Sequence, residues 1–374
     1  MPKNLLADSK QRMIIHVDLN AFYPSCEVIR DNSLKGLPLI IIMSPEPIGE
    51  LTRGVIASCS YEARSCGLRA AMSYVQAKKL CPNGIFKRAD FDLYTSISSD
   101  VMNLLQQFTN KIEQASIDEA YLDVTDNISD SYTIADLSSD IKNDIKLKLD
   151  LICSIGAAPT KTSAKIASDY QKPDGLTIIS SRDVKGFLSP LKVGIVPGIG
   201  PKTEKSLHLL KITTLGELAN YSREKLIAKF GKIGIWMWKV ANGIDDEEVI
   251  SDYEAKSRSA EHTLLEETSN KTIILNEILL QAQEVYDKLV NENLEYRTVG
   301  IKILYNNFNS VTRSYSYKFP RSDWIGVNTP IEKLIDRIDI KSKKVRKVGI
   351  KLSDLSKSNS QSEIKQSSIQ DWAS

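Results

Sequence analysis

Two apolar stretches broken by acidic side chains limit what this chain can fold into. Residues 13–19, MIIHVDL, have the composition of a buried strand, yet Asp18 stands near its end. Residues 111–124, KIEQASIDEAYLDV, have the form of a β-hairpin, and Asp118 and Glu119 interrupt it. Three carboxylates on neighbouring strands of one sheet repel one another and lose hydration, and both effects disfavour ionisation. Divalent cations remove the conflict: two Mg²⁺ ions about 3.5–4 Å apart can activate a hydroxyl and stabilise the leaving oxygen of an in-line displacement. Adjacent strand residues face opposite ways, so Asp118 and Glu119 converge only at a strand end or turn. Hairpin acids exposed to solvent satisfy the same residue types.

The surrounding pattern predicts an α+β, multidomain protein. Strand candidates at 38–43 and 54–60 follow the first strand, with helical stretches from Tyr61 and at 74–81. Helix-period positions cover 92–108, then come the hairpin, a helix over 133–149, a strand at 151–158 and a helix at 160–171 closed by KPDG. Strand, helix, hairpin, helix, strand is the order of a ferredoxin-like βαββαβ sheet, here with an insertion after the first strand. Residues 180–246 read as short helices broken by PGIGP, KITTL, FGKIG and ANGID, and 247–257 as an acidic linker. A second βαββαβ pattern fills 258–355: TLLEE, a long helix at 272–293, strands at 296–305 and 309–318, a helix at 330–339 and a strand at 344–352. The serine-rich end, 356–374, is expected to be disordered. With 374 residues, two to four domains are expected.

Composition excludes several classes. The formal net charge is only +2, so any nucleic-acid surface must come from local clustering of basic residues. Five cysteines without a C-x-x-C pair and three scattered histidines give no zinc spacing, and reduced thiols are expected. No run approaches the roughly 18 apolar residues of a membrane span. The expectation is a soluble, cytoplasmic monomer with no membrane partner.

HVDLNAFYPSCE (16–27), SYEAR (60–64), SIDEAYLDV (116–124), AKIASDYQKPDG (164–175) and VPGIGPKT (196–203) occur in that order. Together they resemble the Y-family DNA polymerases of the DinB, or polymerase IV, branch, over about residues 13–355. The resemblance implies a low-fidelity translesion DNA polymerase with a palm (1–21 and 90–179), fingers (22–89), a helical helix-hairpin-helix thumb (180–246) and a little finger (258–355). It implies that Asp18, Asp118 and Glu119 ligate two Mg²⁺ ions, with the backbone carbonyl of Leu19 completing one shell. Tyr23 matches the steric gate, the ring that packs under the sugar and excludes a 2′-hydroxyl. Tyr61 and Arg64 match the triphosphate-binding pair, Lys165 the palm lysine on the β- and γ-phosphates, and Ser58 a further triphosphate hydrogen bond. The position two after the first aspartate, often Asp in relatives, is Asn20.

The residues agree with that assignment. Tyr61 and Arg64 are three apart on a helix that Ser60 would cap, so both face one ligand. Arginine offers a planar fork to phosphate, and lysine a point charge. Lys161, one turn before Lys165, either touches phosphate or solvates its helix. Gly198, Gly200 and Lys202 of VPGIGPKT would let backbone amides grip a duplex phosphate without reading sequence. FGKIG (230–234) is a candidate second copy. Along 298–351 the polar side chains, Lys302, Lys347 and Lys351 among them, share one sheet face, which suits phosphates in a groove. Gln366, Ile369 and Trp372 follow the Q-x-x-I-x-x-aromatic spacing of a sliding-clamp peptide, with Ala373 where a second aromatic is usual. A non-catalytic scaffold of the same fold should have lost a carboxylate or the gate ring, and all are present. A two-metal nuclease would leave Tyr23, Tyr61, Arg64 and Lys165 unexplained. Primer-template DNA and deoxynucleotides are the expected partners.

Overall fold

The structure, a computed structural model, describes residues 11–44, 54–252, 254–340 and 342–358, and two compact units divide between residues 253 and 254. The first unit opens with β1 (Ile14–Leu19), wholly buried, which turns at once into helix α1 (Phe22–Arg30). Strands β2 (Leu39–Met43) and β3 (Val55–Cys59), helices α2 (Tyr61–Ser65) and α3 (Tyr74–Leu80), and β4 (Ile85–Arg88) form the inserted fingers. Ser60 and Ser73 cap α2 and α3 by accepting the amide hydrogen three residues on. The chain returns through α4 (Phe91–Leu105) to the hairpin β5 (Ile112–Gln114) and β6 (Glu119–Asp123). Helix α5 (Ile134–Leu149), started by a Thr133–Asp136 capping box, precedes β7 (Cys153–Ala158), α6 (Lys161–Tyr170) and β8 (Leu176–Ile178).

These strands lie in the order β5-β6-β1-β7-β8, of which the first four are antiparallel in the ferredoxin-like arrangement and β8 is added parallel to β7. Alternation splits β1 between two cores. Ile15, Val17 and Leu19 pack with Val101 and Leu105 of α4 and Ile141 of α5, while Ile14 shares a core with Ala164 and Ala167 of α6. His16 and Asp18 are therefore on the α6 side. Gly156, opposite His16 on β7, sets how closely α6 approaches. A Cβ there would stand 2.1 Å from the Ala164 carbonyl oxygen and 2.3 Å from the Ser168 nitrogen.

The helical region continues the α6-side core with α7 (Val184–Leu188), α8 (Pro201–His208), α9 (Leu215–Ala219), α10 (Arg223–Phe230) and α11 (Lys232–Ala241). Residues 245–251, partly inside the expected linker, are not free. Thr162 donates through its amide and hydroxyl to Asp245, Lys161 Nζ lies 2.8 Å from Glu113 and 2.9 Å from Glu247, and the Ile112 amide donates to Ser251 Oγ. The acidic stretch thus lines the edge strand β5 and start of α6, through pairings remote in sequence. Lys161 is buried among them and serves packing.

The second unit runs β9 (Ser257–Thr268), α12 (Lys271–Asn291), β10 (Leu294–Tyr305), β11 (Ser310–Arg321), α13 (Ile325–Ile335) and β12 (Val345–Ser353). Its element sequence repeats that of the palm, but its antiparallel strands lie in the order β11-β10-β12-β9. Val299, Ile301, Ile303, Val348, Ile350 and Leu352 are buried with Ile274, Ile278 and Val285 of α12, as the alternation predicts. Helix α13 starts at Ile325 rather than near 330, with Pro330 inside it. Proline leaves the carbonyl four residues back without an amide donor. Here the Tyr317 hydroxyl donates to that carbonyl, Gly326, at 2.9 Å, so the helix passes the proline intact.

Candidate active site

The register places Asp18 of β1 directly opposite Glu119 of β6, and the Leu19 amide donates to the Asp118 carbonyl at 3.0 Å. Asp118 lies in the turn just before β6, the position that allows neighbouring acids to approach one site. Each carboxylate has its own partner. Lys172 Nζ is 2.5 Å from Asp18 and 2.6 Å from Asp169, Lys165 Nζ is 2.6 Å from Glu119, and Ser116 Oγ donates to Asp118 at 2.6 Å. Burial pushes the Asp18 carboxyl up to about 7, against the pull of Lys172 and with a further push from Glu119. Burial also works against the charged form of Glu119, but the adjacent His16 ring and Lys165 ammonium outweigh it and hold its carboxyl below the usual range.

His16 is fully buried under this pair. Its Nδ1 is 2.8 Å from Ser168 Oγ, and that hydroxyl donates to the Lys165 carbonyl. Its Nε2 has no hydrogen-bond partner and stands 3.8 Å from Glu119. Close seating of α6 over Gly156 brings Lys165 and Ser168 to these positions. Lys172 lies in the turn after α6, where the sequence pattern shows only the helix stop KPDG. Its basic side chain seven residues after Lys165 was the available signal.

Among the described residues, no group of three acidic, histidine or cysteine side chains is gathered closely enough to hold a metal by itself. Lys172 and Lys165 supply the countercharge that the facing Asp18 and Glu119 require. The donors nevertheless fit a hard divalent ion: carboxylate oxygens at two adjacent strand ends, one of them nearly buried.

The other expected residues surround this point. Tyr23, half-buried on the first turn of α1, stacks on Tyr94 with centroids 4.5 Å apart and an interplanar angle of 12°. Phe91 meets its ring edge-on at 5.9 Å. Burial, then the charge of Asp118, pushes its phenol up. Tyr61 and Arg64 share a face of α2, with the guanidinium carbon 4.6 Å from the ring centroid and Arg64 Nε donating to the Cys59 carbonyl. Burial raises the Tyr61 phenol, and its electrostatic neighbours include Arg64, Lys172 and Asp18, so the fingers residue and the palm acid face the same space. Ser58 lines a separate cleft of about 300 Å³ with Ala57, Arg64 and Arg69.

Farther along, Gly198 has φ of 98°, and a Cβ there would lie 2.9 Å from the Trp236 ring. Gly200 caps α8, Pro201 starts it, and Lys202 is exposed. In FGKIG, Gly234 lies against the Leu226 carbonyl and serves the packing of α10 on α11. Lys302, Lys347 and Lys351 are on the outer face of the second unit's sheet. Lys302 and Lys347 are both paired with Glu261, which sequence alternation did not single out. Gln366, Ile369 and Trp372, and the fingers loop 45–53, lie outside the described residues. No helix among the described residues is long and apolar enough to cross a membrane.

Acids that meet at adjacent strand ends, bordered by phosphate-binding residue types, have the composition that nucleotidyl transfer requires. Comparison with known proteins agrees. The impB/mucB/samB family model matches residues 17–169, its C-terminal domain 255–367 and the family's HHH motif 181–212. DNA polymerase IV of Methanoculleus marisnigri is 40% identical over 92% of this chain and 94% of its own length. DNA polymerase IV 2 of Methanosarcina mazei is 34% identical over 93% of each. Among solved structures, a Y-family DNA polymerase chimera, Dbh-Dpo4(243-245)-Dbh, matches with TM-score 0.84 at 28% identity, covering 92% of this chain and 99% of that one. An insertion ternary complex of Dbh DNA polymerase matches at TM-score 0.68 and 28% identity, with the same coverage. The chain belongs to the impB/mucB/samB family, as a DinB-like member of the Y-family DNA polymerases. It is a low-fidelity, translesion, DNA-directed DNA polymerase whose fold implies divalent-metal-dependent catalysis.

Proposed function

We propose that this chain transfers deoxynucleotides from dNTPs to a primer 3′-hydroxyl at the Asp18–Glu119 strand ends. The facing of Asp18 and Glu119, with Asp118 in the adjoining turn, carries the reading. Asp18, Asp118 and Glu119 would hold two Mg²⁺ ions, with the Leu19 carbonyl as a further ligand. Such ions lower the pKa of the attacking hydroxyl and neutralise charge on the phosphates. The protein's own part is to position the reactants. Arg64 and Tyr61 orient the triphosphate from the fingers side, Lys165 moves from Glu119 to phosphate oxygens, and Ser58 adds a hydrogen bond. Tyr23 lies beneath the sugar, held against Tyr94. Gly198, Gly200 and Lys202 grip the duplex backbone, and Lys302, Lys347 and Lys351 dock it on the second unit. The tail peptide at Gln366, Ile369 and Trp372 binds a sliding clamp. Small residues at Gly54, Ala57 and Ser58 leave room for distorted template bases, at a cost in selectivity.

A primer-extension assay on undamaged and abasic templates tests this, with Mg²⁺, all four dNTPs and an EDTA control. Metal-dependent extension past the abasic site is expected. No extension on either template would reject the assignment.

A further inference from the structure

On the outer face of the second unit's sheet, the register sets Thr312, Lys302, Gly349 and Glu261 in one row across β11, β10, β12 and β9. Lys302 reaches over β12, and its Nζ lies 2.7 Å from one carboxylate oxygen of Glu261. Lys347 approaches from along β12, 3.2 Å from the other oxygen. Gly349 leaves the space: a Cβ there would stand 2.8 Å from Glu261 Cγ. Lys351 has no ion pair among the described residues. Around this cluster the face is a shallow depression of about 400 Å³, lined chiefly by serine, threonine and glycine.

A face meant only to collect phosphates would leave its ammonium groups free. Here one carboxylate takes two of the three, one oxygen to each. The arrangement, an anion between two cations on an open surface, is the one a DNA phosphate would itself make. A phosphate arriving at Lys302 or Lys347 must displace a partner that is covalently held at high local concentration, or share the lysine beside a negative charge. We propose that Glu261 is a built-in phosphate surrogate on this sheet: it competes with the DNA backbone for Lys302 and Lys347, weakening the hold on the duplex and its dependence on salt. The proposal rests on the reading above that this sheet docks DNA. Its consequence is a polymerase that releases its template readily after a short stretch of synthesis.

The test is Glu261→Gln in the full chain, which keeps the side chain's shape and removes its charge. Binding to a fluorescent primer-template is measured by anisotropy across a salt series, beside Lys302→Ala/Lys347→Ala and Lys302→Ala/Lys347→Ala/Lys351→Ala. Two exposed ion pairs no longer have to be broken before phosphate can bind, each worth about two- to threefold, so binding is expected to tighten about three- to tenfold at low salt. The slope of log affinity against log salt should steepen by about one to two units as two lysines become available. In the double-alanine background the same Gln change should alter affinity less than about twofold, because the contested lysines are gone. Equal or weaker binding by Glu261→Gln at every salt concentration would overturn the proposal, and weaker binding would show that Glu261 props the lysines up for phosphate. A full-sized gain in the double-alanine background would overturn it too, reducing the effect to general repulsion. Should the triple-alanine chain bind like its parent, the docking reading itself fails. If that chain weakens while Glu261→Gln does not tighten, only the role of Glu261 fails.

Discussion

Replacing Tyr23 with alanine separates a gate from a core aromatic, and the structure supplies the scale of each effect. The ring is half-buried and makes one stacked contact, with Tyr94, one edge contact, with Phe91, and a tilted contact with its chain neighbour Phe22. Stacked and edge-on aromatic pairs contribute about 0.5–1.5 kcal/mol each, so loss of the Tyr94 and Phe91 pairs should lower stability by about 1–3 kcal/mol. Domains typically hold about 5–15 kcal/mol, which leaves the fold standing. Tyr94 keeps its own bond to buried Glu27, at 2.9 Å, so the wall behind the ring should survive. The catalytic effect has a different origin. A 2′-hydroxyl against the ring displaces the sugar, and a shift of about 1 Å at the reacting atoms costs on the order of 10²-fold in rate. Tyr23→Ala should therefore raise ribonucleotide kcat/KM by about 10²-fold while deoxynucleotide kcat/KM stays within about tenfold of the parent. Tyr23→Phe, which keeps the ring, should preserve discrimination. Single-nucleotide insertion with a matched dNTP and rNTP, alongside thermal melting of each variant, is the assay. If Tyr23→Ala lowers both substrates together in proportion to its loss of stability, the ring is only a packing element and the gate is refuted.

Three other outcomes follow from the same geometry. Asp118→Ala should reduce extension by at least about 10³-fold, since metal-assisted charge stabilisation supplies several kcal/mol; primer-template affinity by anisotropy should change less than about threefold, and near-normal turnover would contradict the ligand role. Gly156→Ala forces α6 away from β7 and should cost about 1–3 kcal/mol in denaturant unfolding, with Lys165 drawn off Glu119 and KM for dNTP raised; an unchanged midpoint and KM would show that α6 is not seated by this contact. Deleting residues 366–374 should leave extension of short primers intact and abolish stimulation by a sliding clamp, whereas persistent stimulation would place clamp contact elsewhere.

What the sequence made legible is what local pattern controls. The palm's element order, the burial of β1 and the turn that carries Asp118 follow from apolar runs, alternation and a turn, all short-range, whereas the meeting of Asp18 with Glu119 was implied by the family motifs and is made by strands remote in sequence. Two things were not legible, both for the same physical reason. Lys172 meets Asp18, and Glu261 meets Lys302 and Lys347, only because strands distant in the chain are laid side by side. No periodicity encodes which cation a carboxylate will find. The 245–251 segment shows the point again: from residue 247 on it reads as an acidic linker, yet Glu247, with Asp245 just before it, holds the start of α6. Glycines gave a partial clue. Gly156 and Gly349 stand in strands, where glycine is intrinsically unfavourable, and each lies where something approaches close above the sheet: helix α6 in one case, the side chain of Glu261 in the other. A glycine inside a strand therefore pointed to close approach, while the identity of what approached required the fold. Charge pairing extends that reasoning to both units. At the palm, lysines stand beside the carboxylates expected to bind metal; at the second sheet, a carboxylate stands between lysines expected to bind phosphate. In both places the protein carries its own counter-ion at the position where the proposed ligand would bring one, so each binding event would become an exchange of partners in place of a simple addition.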